Sequence, residues 1–150
     1  MRYFFILLTT AFLAVNAGAQ TAEDSVKTVI NTMFTAMRNA DAPLFKTTFA
    51  DSAILQTIAR ARDGSMKVKN ENLAEFADMI GTLKKDSADE RIRFETIKTD
   101  GPLAIAWTPY QFYYNGKFSH CGVNSFQLVR LNGIWKIQYL IDTRRRESCL

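Results

Sequence analysis

Residues 107–124 read WTPYQFYYNGKFSHCGVN, and this stretch decides the fold. At its centre lies Asn115-Gly116, the kind of pair that a two-residue type I′ turn requires, because both central residues of that turn have positive φ. Aromatic and β-branched residues, which favour strands, flank the pair on both sides. The stretch therefore predicts two antiparallel strands joined by a tight hairpin.

Two further pairs of the same kind, Asp100-Gly101 and Asn132-Gly133, lie on either side of this hairpin. Each is again flanked by strand-forming residues, so each predicts another two-residue hairpin. Residues 91–146 are therefore predicted to form an antiparallel meander of four strands.

The turns also predict a register, because side chains alternate between the two faces of a strand. Two-residue turns place Trp107 opposite Asn124 and Pro109 opposite Gly122, and the proline and glycine together predict a bulge or a sharp bend. The predicted inner face carries Ile92, Phe94, Thr96, Leu103, Ile105, Trp107, Gln111, Tyr113, His120, Asn124, Phe126, Leu128, Trp135, Ile137, Tyr139, Ile141 and Thr143.

One end of this inner face combines apolar walls with uncharged polar groups, which is typical of a small-molecule pocket. The predicted ligand-binding residues are Trp107, Gln111, Tyr113, Asn124 and Tyr139. The alternative interpretation is a wet end of the sheet where the polar side chains simply satisfy one another.

His120, the single histidine of the chain, is the candidate catalytic base of this face. The alternative is a rim residue packed on Tyr113 or Gln111. No acidic residue lies on the predicted inner face, since Glu95 and Asp142 fall on the outer one, and a catalytic histidine usually needs an orienting acid. One histidine without clustered Cys, Asp or Glu also predicts no metal site.

The first 19 residues have the pattern of a signal peptide. Arg2 precedes an apolar run over residues 4–15, and Ala17-Gly18-Ala19 is a small-residue cleavage site. The run is shorter than the ~20 residues that a membrane-spanning helix needs. We expect cleavage before Gln20, export to the periplasm or medium, and no membrane span in the mature chain, whose residues 20–150 would form one domain.

Between the signal and the meander the sequence alternates helix and strand patterns. Apolar residues at helical spacing predict a helix over residues 21–39, a shorter one follows Pro43, and a third covers residues 70–84. Residues 53–60 and 66–69 are predicted strands, and residues 85–90 a charged connector. Helices gathered on one face of a bent antiparallel sheet define an α+β class.

Charge and cysteines restrict the function further. The formal net charge is only +4, and Arg144, Arg145 and Arg146 form an isolated basic run, so we expect a solvated strand end and no nucleic-acid partner. Cys121 and Cys149 could bond in an exported protein only if the C-terminal tail folds back, and we favour unpaired thiols.

The predicted outer face of the meander is small and mildly apolar, where a solvated face would alternate charged residues. Its residues are Ala104, Ala106, Thr108, Tyr110, Val123, Ser125, Gln127, Val129, Gln138 and Leu140. This composition predicts a homodimer through that face, with a monomer as the alternative.

The meander resembles the nuclear transport factor 2-like superfamily, and most closely its exported bacterial members labelled "putative lumazine-binding". The resemblance is carried by Ala106-Trp107-Thr108-Pro109-Tyr110, Phe112-Tyr113, residues 115–123, residues 125–129, Gly133, Trp135-Lys136-Ile137 and residues 141–145.

This resemblance implies a cone-shaped α+β domain with an interior pocket and frequent pairing of sheets in a homodimer. It implies a cofactor-free domain that binds a small, partly apolar ligand. Enzymes of the superfamily use an inward carboxylate, or a histidine with a carboxylate partner. There are two alternatives: an isomerase or dehydratase that uses His120, and an interaction module with a vestigial pocket.

Overall fold

The computed structural model describes residues 21–149, so the predicted signal peptide lies outside the described residues. The elements in chain order are α1 (Ala22–Arg38), α2 (Ala42–Thr47), β1 (Phe49–Arg60), β2 (Met66–Glu71), α3 (Leu73–Gly81), β3 (Ala88–Ile92), β4 (Thr96–Asp100), β5 (Leu103–Tyr114), β6 (Lys117–Leu131) and β7 (Ile134–Thr143).

The long first helix, α1, begins and buries one face as its sequence predicts. The Thr21 side chain accepts a hydrogen bond of 3.0 Å from the Asp24 backbone N–H, which caps the first turn. Val26, Ile30 and Met33 recur at helical spacing and are buried. This apolar face packs on the sheet and forms the core together with Phe126, Leu128 and Ile137 from the strands.

The seven strands form one sheet in the order β2-β1-β7-β6-β5-β3. β4 also pairs with β5: β3 pairs with residues 110–114 of that strand and β4 with residues 103–107. The β1 and β7 pair is parallel, and the other pairs are antiparallel. The helices cover one face of this sheet, which confirms the predicted α+β class.

The hairpin at Asn115-Gly116 has positive φ at both residues, 50° and 74°, as a type I′ turn requires. The third pair, Asn132-Gly133, does the same with 49° and 82°. The first turn is different: Asp100 pairs with Leu103, so Gly101-Pro102 are its central residues and the register is offset by one.

A bulge beside the middle hairpin corrects the predicted register of β5. Tyr113 pairs with Phe118 as expected, but Phe112 pairs with His120, so Ser119 is an extra residue. Trp107 consequently pairs with Ser125 and lies on the outer face, while Thr108 pairs with Asn124 on the inner one. The predicted bulge at Pro109 and Gly122 was placed too far from the turn.

A second bulge shifts the end of β7. Leu128 pairs with Ile137 but Gln127 pairs with Tyr139, which leaves Gln138 as the extra residue. Leu140 and Asp142 therefore face inward, and the prediction that Tyr139, Ile141 and Thr143 do so was wrong.

The two bulges also change the composition of the outer face. Ala104, Ala106, Thr108 and Tyr110 are buried on the inner face and cannot form the predicted dimer surface. In their place β5 exposes Leu103, Ile105 and Trp107, at 47%, 44% and 45% of their surface. The outer face is thus more apolar than the sequence predicted.

The predicted charged connector over residues 85–90 is partly a strand. Ala88–Ile92 forms β3, in which Ala88 is buried and Glu90 lies on the same face. This places a carboxylate inside the fold where none was expected.

Cys121 and Cys149 form a disulfide with a Cα–Cα distance of 5.8 Å, so the expectation of unpaired thiols was wrong. The tail does fold back, because Cys121 and Arg145 exchange two backbone hydrogen bonds of 2.8 and 2.9 Å. Among residues 21–149, no helix is both long and apolar enough to cross a membrane.

Candidate functional site

Two adjoining cavities lie between the helices and the inner face of the sheet, with volumes of about 60 and 280 Å³. Both are lined by Met37, Phe76, Glu90, His120 and Arg144. The other apolar lining residues are Met33, Phe34, Phe45, Leu55, Met79, Ile80, Leu83, Ala88, Phe112 and Leu140, and the other polar ones are Thr57, Glu71, Tyr110, Tyr114, Asn124 and Asp142. An apolar cavity with a few polar groups is the usual form of a small-molecule site.

Glu90 on β3 is the central polar group of these cavities. Its Oε1 accepts a hydrogen bond of 2.8 Å from Asn124 Nδ2, while Oε2 has no hydrogen-bond donor among the described residues. The pKa of Glu90 is raised to about 7, chiefly by burial and to a smaller extent by the neighbouring Asp142. The bond from Asn124 and the charge of Arg144 act in the opposite direction. Glu90 therefore exchanges a proton near neutral pH.

Asp142 on β7, by contrast, is fully engaged. Its Oδ1 accepts a bond of 2.5 Å from the Thr57 hydroxyl, and its Oδ2 accepts one of 2.9 Å from Arg144 Nε. Arg144 Nη2 also donates to Thr57 Oγ1 at 2.9 Å, which closes a three-residue network. Asp142 is buried and the Arg144 side chain is 43% exposed, and the bonds that both make to Thr57 hold the pair in one arrangement.

Tyr110 on β5 connects this network to the backbone. Its hydroxyl lies 3.1 Å from Asp142 Oδ2 and 2.9 Å from the Thr143 carbonyl oxygen. Burial, followed by the charge of Asp142, raises the pKa of the Tyr110 phenol, so the group remains protonated. The strands approach closely here because Gly122 has no side chain: a Cβ would lie 1.8 Å from the Thr143 oxygen.

His120 lies at the junction of the two cavities. Its ring packs against Phe112 at 5.0 Å and edge-on against Tyr110 at 5.8 Å, between ring centroids. Its Nδ1 lies 3.1 Å from the Ser119 hydroxyl. Burial and the nearby Arg144 lower the pKa of His120, so the imidazole is neutral at pH 7.

Of the residues predicted to form the site, the structure brings together Asn124 and His120. The other four side chains lie on the outer face: Trp107 is exposed, Tyr113 donates to Gln111 Oε1 at 3.0 Å, and Tyr139 donates to Gln56 Oε1 at 2.7 Å. The two bulges are the physical reason, because each moves the following residues to the opposite face.

Four residues of the site were not predicted from the sequence: Glu90, Tyr110, Asp142 and Arg144. Glu90 could have been found from the alternation of Ala88, Glu90 and Ile92 with charged residues between them, which is a strand pattern. The others were lost with the register. In the described part of the chain, no three His, Cys, Asp or Glu side chains are grouped to hold a metal ion.

Solved structures with the same fold support the class of protein. An NTF2-like protein of unknown function from Shewanella baltica has a TM-score of 0.64 at 14% identity, covering 83% of this chain and 94% of its own. An NTF2-like protein of unknown function from Shewanella oneidensis has a TM-score of 0.64 at 12% identity, covering 82% and 99%. A domain with a cystatin-like fold from Nostoc punctiforme has a TM-score of 0.65 at 14% identity, covering 84% and 78%. The chain is an NTF2-like α+β domain.

The family follows from the sequence match. The model of the family described as "Putative lumazine-binding" matches residues 21–138, and the chain belongs to that family. No curated protein matches the chain significantly. The description of the family refers to the binding of a small ligand.

Proposed function

We propose that this protein is an exported domain that binds a small, partly apolar molecule in the two joined cavities. One observation carries the proposal: the largely apolar cavities are lined by Glu90, whose Oε2 accepts no hydrogen bond from residues 21–149. A carboxylate oxygen held in this way is costly unless a ligand or water satisfies it. The name of the family, which refers to a small heterocycle, supports a ligand of this size.

A screen of small molecules by thermal stabilisation tests the proposal. We expect compounds that stabilise the wild type to lose their effect in Asn124→Leu, which removes the donor to Glu90 inside the cavity. The matched control is Gln127→Leu on the outer face of the same strand, which should respond like the wild type. Compounds that stabilise all three proteins equally would exclude the cavity as their site.

Acid–base catalysis is the second candidate function, and the carboxylate of Glu90 favours it. A group with a pKa of about 7 can both accept and donate a proton at neutral pH. The Glu90 carboxyl would act as the base, and neutral His120 would polarise a carbonyl, as an isomerase or dehydratase requires.

Hydrogen exchange tests the catalytic candidate directly. Any carbonyl compound found in the screen should exchange its α-hydrogens in D₂O in the presence of the wild type. Glu90→Gln should abolish this exchange while the compound still binds. Exchange that persists in Glu90→Gln would exclude Glu90 as the base.

Export is part of the same proposal. It is supported by the signal pattern of residues 1–19 and by the Cys121–Cys149 disulfide, since such bonds persist mainly in oxidising compartments. Mass spectrometry of the periplasmic protein should find Gln20 as the first residue. A protein that retains Met1 in the cytoplasm would contradict it.

We further propose a homodimer through the outer face of the sheet. Three apolar side chains at alternate positions of β5 each expose nearly half of their surface: Leu103, Ile105 and Trp107. An exposed apolar surface of this kind on a sheet marks a contact with a partner, and a second copy would be self-complementary.

A further inference from the structure

We propose that the cavity ligand is an organic cation, a primary or secondary amine on an apolar body, whose ammonium group pairs with Glu90 Oε2. This inference rests on the proposed binding function and specifies its ligand class. It follows from the charges, hydrogen bonds and walls of the two cavities.

Three carboxylates line the cavities, and two of them already have a cationic partner. Asp142 pairs with Arg144 at 2.9 Å, and Glu71 pairs with Lys69 at 2.9 Å. Within residues 21–149, Glu90 has only the neutral amide of Asn124 as a hydrogen-bond partner, and this amide satisfies one of its two oxygens. An ammonium group at Oε2 would supply both the missing charge and the missing hydrogen-bond donor.

The charge balance opposes an anionic ligand. Glu71, Glu90 and Asp142 face a single lining cation, Arg144. Asp142 already balances the charge of that guanidinium, and two of its five N–H groups donate to Asp142 and Thr57. An anion would also have to approach Glu90, and like charges in a poorly solvated site repel strongly.

The walls suit a cation with an apolar body. The aromatic rings of Phe34, Phe45, Phe76 and Phe112 and the thioethers of Met33, Met37 and Met79 line the two cavities. Aromatic faces attract ammonium groups, and methionine side chains adapt to irregular apolar shapes. A body of one or two rings would contact these walls while its amine reaches Glu90.

Three probes of nearly equal size separate the possible ligand charges: phenethylamine, phenethyl alcohol and phenylacetate. Their affinities are measured by calorimetry at pH 8, where Glu90 is ionised. We expect phenethylamine to bind about tenfold more tightly than phenethyl alcohol, and phenylacetate to bind most weakly. In Glu90→Gln the advantage of the amine over the alcohol should disappear. The matched control, Glu71→Gln, alters the carboxylate that Lys69 already neutralises and should retain the amine preference.

Two results would overturn the amine assignment. The first is equal binding of amine and alcohol by the wild type, which would leave the cavity as a binding site for neutral ligands. The second is an amine preference that persists in Glu90→Gln. Absence of binding by all three probes would also reject the amine class, whereas the screen with Asn124→Leu decides independently whether the cavity binds any ligand.

Discussion

Asn124 on β6 donates a hydrogen bond of 2.8 Å to Glu90 on β3, although β5 separates these two strands in the sheet. A side-chain bond between strands that are not neighbours crosses the concave face, so the sheet must curve around it. The bond holds Glu90 at the cavity wall with Oε1 paired, while Oε2 has no donor among the described residues. This relationship connects the curvature of the fold to the chemistry of the site.

The raised pKa of Glu90 predicts that Glu90→Gln stabilises the protein at neutral and alkaline pH. In the folded chain the carboxyl holds its proton up to about pH 7, whereas its ordinary pKa is 4.5. The folded state therefore binds more protons between these values, and stability falls as the pH rises through them. The substitution itself changes the free energy of unfolding by an amount that does not depend on pH. Relative to the difference near pH 4, we expect the variant to gain a further ~1–3 kcal/mol over the wild type above pH 7.

Urea unfolding at a series of pH values measures this difference. The control is Glu95→Gln, which removes an exposed carboxylate and should show no comparable pH dependence. A difference between Glu90→Gln and the wild type that does not change with pH would show that Glu90 has an ordinary pKa.

Thr108→Val should be neutral or stabilising, because the Thr108 hydroxyl is buried and has no hydrogen-bond partner in the part of the chain that the structure describes. Replacing it with a methyl group of the same shape removes an unsatisfied polar atom. Thr57→Val is the matched comparison, since the Thr57 hydroxyl bonds both Asp142 and Arg144. We expect a loss of ~1–3 kcal/mol for Thr57→Val, measured by thermal unfolding. A loss of the same size in both variants would mean that Thr108 has a partner.

Trp107→Arg should split the proposed dimer, because the exposed indole would be replaced by a charge at the centre of the interface. Light scattering at micromolar concentration should give a dimer for the wild type and a monomer for the variant. Met66→Arg, on the edge strand β2, should remain dimeric. Trp107→Ala should leave ligand affinity unchanged, since Trp107 lies on the face opposite the cavities. A monomeric wild type would exclude the dimer.

Reduction of the Cys121–Cys149 disulfide should destabilise the fold by ~2–4 kcal/mol, as expected for a bond between residues 28 positions apart. Cys149→Ser should reproduce this loss without reductant, and reductant should not affect that variant further. Denaturation curves with and without dithiothreitol provide the measurement. Equal stability of oxidised and reduced wild type would show that the tail adds nothing to the fold.

The sequence predicted the fold class because its strongest signals are local. Asn115-Gly116 and Asn132-Gly133 determine tight turns from their own backbone preferences, and the apolar spacing of α1 determines its buried face. The prediction of the site depended on the strand register, which was extended outward from those turns. A single extra residue at Ser119 and another at Gln138 reversed the faces beyond them, and nothing in the local chemistry of either residue marks a bulge.

Asn124 and His120 were placed correctly because β6 retains its predicted faces. Glu90 was missed for a different reason. Its strand is short, and its charged residues, Asp89 and Arg91, pair with each other at 2.8 Å on the exposed face, so the segment reads as a polar connector. The alternation of Ala88, Glu90 and Ile92 indicates a strand, and its long-range pairing with β5 determines that the carboxylate lies on the inner face.

Methyl NMR of the methionines tests most directly whether the cavities hold the ligand. Met37 lines both cavities, Met33 and Met79 each line one, and Met66 lies exposed on β2. Titration with phenethylamine, or with the best compound from the screen, should shift the methyl signals of Met33, Met37 and Met79 at saturation and leave Met66 unchanged. A bound compound that shifts Met66 alone, or that leaves Met37 unaffected, would contradict the assignment of the cavity as the binding site.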